Sequence, residues 1–263
     1  MENNYDPEIY DIMHSESFGG DIEWYCQLAS IQGGPVLELG AGTGRTVLPI
    51  AQAGIEIHAL EKDQGMLEKL RSKLSNESPE TQKNVKIIEG DMRQFDIPTR
   101  YKVIQIPFRT FLNNRTHEDQ LSCLHCCHSH LLSDGVLAMN MFHPSLDYMS
   151  QNRGSFEGVW RWRGEQVHPE GGIIVQSESN RFDTVKQQVS SRLRFEHFDR
   201  SGNLLSVHLQ LLELSYLYPG DIRDLLNEAG FSSIQIWGGF DGRVIDRDGG
   251  ELVVQAHKSD AVT

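Results

Sequence analysis

Long apolar runs are missing from this chain of 263 residues. No stretch approaches the ~18–20 consecutive apolar residues of a membrane-spanning helix, so no membrane partner is expected. A basic surplus is missing too: 24 Lys and Arg stand against 37 Asp and Glu, a formal charge of −13. A protein that grips nucleic acid needs a positive surface to displace counterions, so no nucleic-acid partner is expected. Cysteine is scarce. Of Cys26, Cys123, Cys126 and Cys127, three fall within five positions and cannot build a long-range disulfide framework, which points to reduced thiols. The opening stretch 1–11 has neither the basic nor the apolar region of a secretory signal, and a cytoplasmic location is expected. The remainder, 38% hydrophobic and 23% charged, fits an ordinary globular chain of one or two domains.

Short β-rich runs at 36–39, 55–60, 85–89, 102–107 and 136–142 alternate with helical patterns at 45–52, 64–74 and 117–132. Met66, Leu67, Leu70 and Leu74 show the helical spacing most plainly. Such alternation predicts a parallel sheet with right-handed crossovers, a doubly wound α/β fold. After His143-Pro144 the texture changes to alternating runs at 156–167, 173–182, 185–198 and 204–216. The last two are separated by the turn sequence Asp199-Arg200-Ser201-Gly202-Asn203, which predicts an inserted antiparallel β-sheet of three or four strands. A helix at 219–229, opened by Pro219 and followed by Gly230, precedes two more strands at 231–237 and 251–257. Four parts are expected. They are an N-terminal lid segment (1–30), a core (31–145), the inserted sheet as substrate cover or dimer surface (146–218), and the last helix with two core strands (219–258). The tail beyond Lys258 is expected to fray.

The strongest signal is Val36-Leu37-Glu38-Leu39-Gly40-Ala41-Gly42-Thr43-Gly44-Arg45, a strand that runs into a glycine loop and a helix. The glycines let the backbone turn sharply and aim its amides at a ligand. The G-x-G-x-G spacing differs from the dinucleotide G-x-G-x-x-G, and Glu38 would repel a pyrophosphate. An acid there suits a ligand with an ammonium and a sulfonium. Glu61 ends the second strand, where an acid takes ribose hydroxyls. Asp91 follows the third strand, placed to accept from an adenine amino group while Met92 covers the ring.

The segments 38–45, Ala59-Leu60-Glu61-Lys62-Asp63-Gln64-Gly65-Met66-Leu67 and Gly90-Asp91-Met92 resemble the cofactor motifs of class I S-adenosylmethionine (SAM)-dependent methyltransferases. The resemblance spans roughly residues 30–145 and implies a Rossmann-like sheet of seven strands with an antiparallel last strand. It implies SAM as cofactor, with S-adenosylhomocysteine as product. Gly40, Ala41, Gly42 and Gly44 would surround the methionine part, Glu61 the ribose, and Asp91 and Met92 the adenine. Glu38, Lys62, Met66, Pro107 and Tyr10 complete the expected cofactor contacts. Glu61 stands where aspartate is more frequent, and Asp63 where serine is frequent. The run Ile106-Pro107-Phe108-Arg109-Thr110-Phe111-Leu112-Asn113-Asn114 resembles a branch of small-molecule enzymes that includes N-methyltransferases of amino sugars and bacterial secondary metabolites. The Asn-Pro-Pro-Tyr type of motif for planar nitrogens is absent.

In open α/β sheets the site lies beyond the carboxyl ends of the strands. Phe108, Arg109, Phe111 and Leu112 are therefore expected at a substrate rim, with Tyr25 and Trp160 as further substrate contacts. Tyr5, Tyr10 and Tyr25 mark the N-terminal segment as a lid or a mobile terminus. His143 and His14 are the imidazoles that could serve as bases. Arg109 either holds an anionic substrate group or forms a salt bridge. In Trp160-Arg161-Trp162-Arg163 the tryptophans are expected in the core of the inserted sheet. With the faces reversed, the arginines would line a pocket for a carboxylate or phosphate. Cys123, Cys126, Cys127 and His130 share a helix face, yet Leu121, Leu124, Leu131 and Leu132 require that helix to pack on the sheet, and no metal is expected. The sequence thus points to methyl transfer from SAM to a small molecule, nitrogen before sulfur or oxygen, with homodimerisation open. The alternatives are a non-catalytic SAM-binding sensor or scaffold, and an aminopropyl transferase on the same fold.

Overall fold

The structure is a computed structural model that describes residues 5–14, 17–246 and 249–258; the tail beyond Lys258 lies outside them. Two helices come first, α1 (Pro7–Met13) and α2 (Asp21–Gln32). Apolar periodicity does not announce α1, which fully buries no residue; its signal is the cap. Asp6 accepts hydrogen bonds from the Glu8 and Ile9 amides, and Pro7 opens the first turn. Helix α2 lies between Gly19-Gly20 and Gly33-Gly34 and buries Tyr25, Leu28 and Ala29.

Strands and helices then alternate as expected. They are β1 (Val36–Leu39), α3 (Val47–Gln52), β2 (Ile57–Glu61), α4 (Gln64–Ser75), α5 (Pro79–Lys83), β3 (Val85–Glu89), β4 (Tyr101–Ile106), α6 (His117–His130) and β5 (Leu131–His143). Next come α7 (Leu146–Ser150), β6 (Arg161–Val167), β7 (Ile173–Asp183), β8 (Gln188–Phe198) and β9 (Leu204–Ser215). Last are α8 (Pro219–Glu228), β10 (Phe231–Trp237) and β11 (Gly250–Lys258). Among the described residues no helix is long and apolar enough to cross a membrane.

The main sheet has seven strands in the order β10-β11-β5-β4-β1-β2-β3. Its central pairs are parallel, and only β11 runs against its neighbours β5 and β10. This is the Rossmann-like sheet with one antiparallel strand. Side chains alternate between two cores. Leu37, Leu39, Ile104, Ile106, Leu137 and Met139 face α6 and α8, while Val36, Ile57, Ala59, Val103 and Ala138 face α2, α3 and α4. Burial on both faces explains why these strands read as continuous apolar runs. Cys123 and Cys127 are fully buried on α6 as part of that packing.

Strands β6, β7, β8 and β9 form a separate antiparallel sheet in chain order. Here one expectation fails. The tryptophans are not its core: Trp162 is 67% exposed and Trp160 packs under the guanidinium groups of Arg192 and Arg194. The reason is position, since β6 is an edge strand with a register shift between Trp162 and Gly164. The buried face of the sheet carries Val189, Phe195 and Gln210 instead.

Candidate active site

The carboxyl ends of β1, β2, β3 and β4, the helix α1 and the inner face of the inserted sheet enclose one cleft of about 1540 Å³. Its floor is the glycine loop after β1. Gly40 and Gly42 have φ of +69° and +54°. A Cβ on Gly40 would lie 2.2 Å from Thr110 Cγ2, and Gly44 has φ of +85°, so both positions favour glycine. Glu61, at the end of β2, organises the loop from the side. Its Oε2 accepts from the Gly42 amide at 2.9 Å, and its Oε1 from the Lys62 and Asp63 amides at 2.8 and 2.9 Å. Asp63, whose role the motif left open, is the N-cap of α4 and accepts from the Met66 amide at 2.9 Å.

Glu38 sits behind the loop and does not line the cleft. It is 1% exposed and held by Thr46 Oγ1 and Gln105 Nε2, each at 2.6 Å. Burial pushes its carboxyl up to about 7 against those two hydrogen bonds. Ala41, Gly44 and Pro107 likewise stand behind the surface, while Gly40, Gly42, Glu61, Lys62, Met66, Asp91 and Met92 line it. Both Asp91 oxygens are engaged by Arg93, at 2.9 Å (Nε) and 2.6 Å (Nη2), which holds the Asp91 carboxyl below its ordinary range. Met92 Sδ accepts from Asn114 Nδ2 at 3.4 Å.

Helix α1 closes the cleft from above. Asp11 joins it to the loop through a hydrogen bond from Thr43 Oγ1 and to α4 through Lys73 at 3.2 Å; Glu8 meets Lys69 at 2.6 Å. Tyr10 and His14 thereby stack edge-on with Phe108, with centroids 5.9 and 4.9 Å away. Burial, followed by the charges of Arg45 and Arg109, lowers the His14 imidazole to about 4. A ring held that low stays neutral at physiological pH and accepts protons weakly, so it is better suited to accepting a hydrogen bond than to deprotonating an ammonium. His143 is 7% exposed on the cleft wall, and burial lowers its imidazole as well. Its ring bonds the Asp246 backbone, and its Nδ1 has no hydrogen-bond partner among the described residues.

The loop after β4 is strained, with φ of +53° at Phe108 and +65° at Arg109. It is pinned from beneath by residues that no short motif marks. Asn140 Oδ1 accepts from the Phe108 amide (2.8 Å) and from the Tyr25 hydroxyl (2.9 Å), and Asn140 Nδ2 donates to Glu251 Oε1 (2.6 Å). Glu251 also takes Arg109 at 2.7 Å, so Arg109 occurs as a salt bridge and lines the cleft in that form.

Four expected substrate contacts are corrected. Tyr25, Phe111 and Leu112 are fully buried in the core, because α2 packs on the sheet and the turn after Arg109 folds Phe111 and Leu112 inward. Trp160, on the outer side of the inserted sheet, is also absent from the cleft lining; Phe108 and Arg109 belong to it. Among the described residues no group of three or more His, Cys, Asp or Glu could hold a metal ion.

The site thus combines a glycine loop after β1 with acids at the end of β2 and after β3, on one side of an α/β sheet. The family model of the methyltransferase domain matches residues 36–135. Over that stretch the chain is similar to a methyltransferase domain. Among curated proteins the chain is similar to the cypemycin N-terminal methyltransferase of a Streptomyces species, 24% identical over 150 residues. The match covers 53% of this chain and 59% of that relative, so the chain spans about three-fifths of its length. Among solved structures, the CcbJ methyltransferase of Streptomyces caelestis superposes with a TM-score of 0.74 at 22% identity, covering 92% of this chain and 97% of that one. SAM-bound CalS10, an amino pentose methyltransferase from Micromonospora echinaspora, gives 0.72 at 18% identity over 98% and 100% of the two chains. These two likenesses concern the fold.

Proposed function

We propose that this chain transfers the methyl group of SAM to a small-molecule acceptor, with nitrogen the favoured target. The observation that carries it is the glycine loop locked to Glu61: three amides converge on one carboxylate beside a positive-φ turn that no side chain fills. These residues suit SAM. The remaining lone pair of Glu61 Oε2 can take a ribose hydroxyl, Met92 offers an apolar surface for adenine, and the loop leaves room for the methionine part. Glu38 lies too deep to touch a ligand and supports the loop through Thr46. The names of the cypemycin enzyme and of the SAM-bound amino pentose enzyme support both the cofactor and a nitrogen acceptor.

When bound, SAM supplies a sulfonium-activated methyl carbon whose departing thioether is neutral. The chain's task is then chiefly positioning and water exclusion. Tyr10, His14 and Phe108 close an apolar wall over the cleft, and the inserted sheet covers its far side. A nitrogen acceptor needs no strong base, in keeping with the neutral, weakly basic His14. Placement in the cytoplasm belongs to the same proposal.

Calorimetric titration with SAM, S-adenosylhomocysteine and NAD tests the first half; binding of the first two and not the third is expected. Transfer of radiolabelled methyl to a panel of amines, thiols and alcohols tests the second. SAM affinity without transfer to any acceptor would mark a sensor or scaffold and overturn the enzymatic assignment.

A further inference from the structure

On the inserted-sheet side of the cleft lies a polar cluster that the cofactor does not need. Tyr148 of α7 donates its hydroxyl to Glu178 Oε1 at 2.6 Å. Asn180 Nδ2 donates to the Tyr148 oxygen at 2.7 Å and to Glu178 Oε1 at 2.9 Å. Arg163 lies 3.4 Å from Glu178 Oε2, and all four residues line the cleft. These contacts fix the amide: reversed, the Asn180 oxygen would face a carboxylate. The Asn180 side chain therefore presents Oδ1 away from Glu178. Asn180 is 4% exposed, and Oδ1 has no hydrogen-bond partner among the described residues.

A buried amide oxygen without a donor is costly, and a bound group that brings the donor removes that cost. The cluster's chemistry specifies that partner. Glu178 supplies negative charge, Asn180 supplies a vacant acceptor, and the one cation present, Arg163, is already set against Glu178. An anionic group would meet the carboxylate; a hydroxyl or an ammonium would satisfy Oδ1 and be attracted by Glu178. The arginines of 160–163 therefore do not make a carboxylate or phosphate pocket.

We propose that Tyr148, Glu178 and Asn180 form a recognition subsite for a hydrogen-bond-donating group, hydroxyl or ammonium, borne by the acceptor away from the atom that is methylated. This rests on the methyl-transfer assignment of the rest of the cleft. The subsite selects acceptors by what they carry at their far end. It rejects those with an acid there.

The test uses matched ring amines as probes: trans-4-aminocyclohexanol, cyclohexylamine and trans-4-aminocyclohexanecarboxylate. Each is titrated by saturation-transfer NMR against the full chain, with and without S-adenosylhomocysteine. The alcohol should bind roughly tenfold more tightly than the carboxylate, the scale of one hydrogen bond to a charged cluster. Glu178→Gln, which keeps the shape, and Asn180→Ala should each remove most of that preference while S-adenosylhomocysteine affinity stays unchanged. Equal binding of alcohol and carboxylate, a preference that survives both substitutions, or no measurable binding of the alcohol overturns the subsite. A preference that is lost in both variants, in a chain that fails to bind S-adenosylhomocysteine, keeps the subsite and removes the methyl-transfer assignment.

Discussion

Arg109 Nη2 lies 2.7 Å from Glu251 Oε2, which ties the strained loop after β4 to the antiparallel strand β11. Two successive residues at positive φ, neither of them glycine, cost on the order of 1–3 kcal/mol each. They persist because the surroundings over-determine them. Asn140 holds the Phe108 amide, Glu251 holds Asn140 and Arg109, and Arg109 also lies over the rings of Phe18 and Phe142.

Replacing Arg109 by Ala leaves the Glu251 side chain, 8% exposed, without its cation. The loss is on the order of 1–3 kcal/mol of stability, the cost of a buried group stripped of a charged partner. The double variant Arg109→Ala/Glu251→Gln should recover part of it, read as the melting temperature. SAM affinity should be spared and methyl transfer impaired; a folded Arg109→Ala protein with full turnover would remove Arg109 from the site.

Glu61→Ala should weaken SAM binding by roughly 10- to 100-fold, equivalent to about 1–3 kcal/mol of lost hydrogen bonding. Calorimetry reads the affinity directly. The melting temperature of the unliganded protein should fall as well, since three amides lose their acceptor. Unchanged SAM affinity would move the ribose elsewhere.

The contact between Asp11 and Thr43 should act as a latch. Asp11→Ala or Thr43→Val frees α1 from the loop. Hydrogen exchange of residues 7–13 should then quicken, and SAM should dissociate several-fold faster, for a coupling of about 1 kcal/mol in a double-mutant cycle. Protection of α1 identical to that of the parent chain would mean the latch carries no load.

Two buried groups bend the pH profile in opposite directions. The Glu38 carboxyl is raised to about 7 from 4.5, so the folded chain holds a proton that the unfolded chain has lost, and stability falls as pH rises through that window. The His14 imidazole is lowered to about 4 from 6.5, so the unfolded chain binds the extra proton and stability rises with pH over nearly the same range. The two slopes offset each other in the parent protein. Glu38→Gln should leave melting temperatures that climb from pH 4 to 6.5, and His14→Gln melting temperatures that decline from pH 4.5 to 7. Parallel profiles for both variants would contradict the two environments.

The doubly wound sheet was legible because its central strands are covered on both faces. Val36-Leu37-Glu38-Leu39 could be bounded from its apolar content and the glycine after it, and the half-buried edge strand Phe231 to Trp237 from the glycines on either side of it. The loop, Glu61, Asp91 and Met92 were legible because their order along the chain matches a shared motif. Helix α1 was not, since nothing on it is fully buried; the sequence Asp6-Pro7-Glu8, a capped start with an acid in the first turn, was the signal available. Tyr25, Phe111 and Leu112 misled because an apolar residue beside a cleft and one beneath it look alike in sequence. Asn140 and Glu251, 111 residues apart, pair only through the insertion of β11 beside β5, which no local pattern encodes. Glu178 and Asn180 read simply as polar positions on a strand.

Strand β11 comes after β10 in the chain yet sits inside it, between β10 and β5. The sheet therefore cannot grow outward one strand at a time. Strand β10 has no edge to join until β11 is in place. Glu251 arrives with that docking. A chain stalled before the event would expose the edge of β5 and leave Asn140 and Arg109 without their shared partner. The ties that set the loop after β4 thus depend on the docking of β11, and a molecule without it would lack the contacts that hold this wall of the cleft.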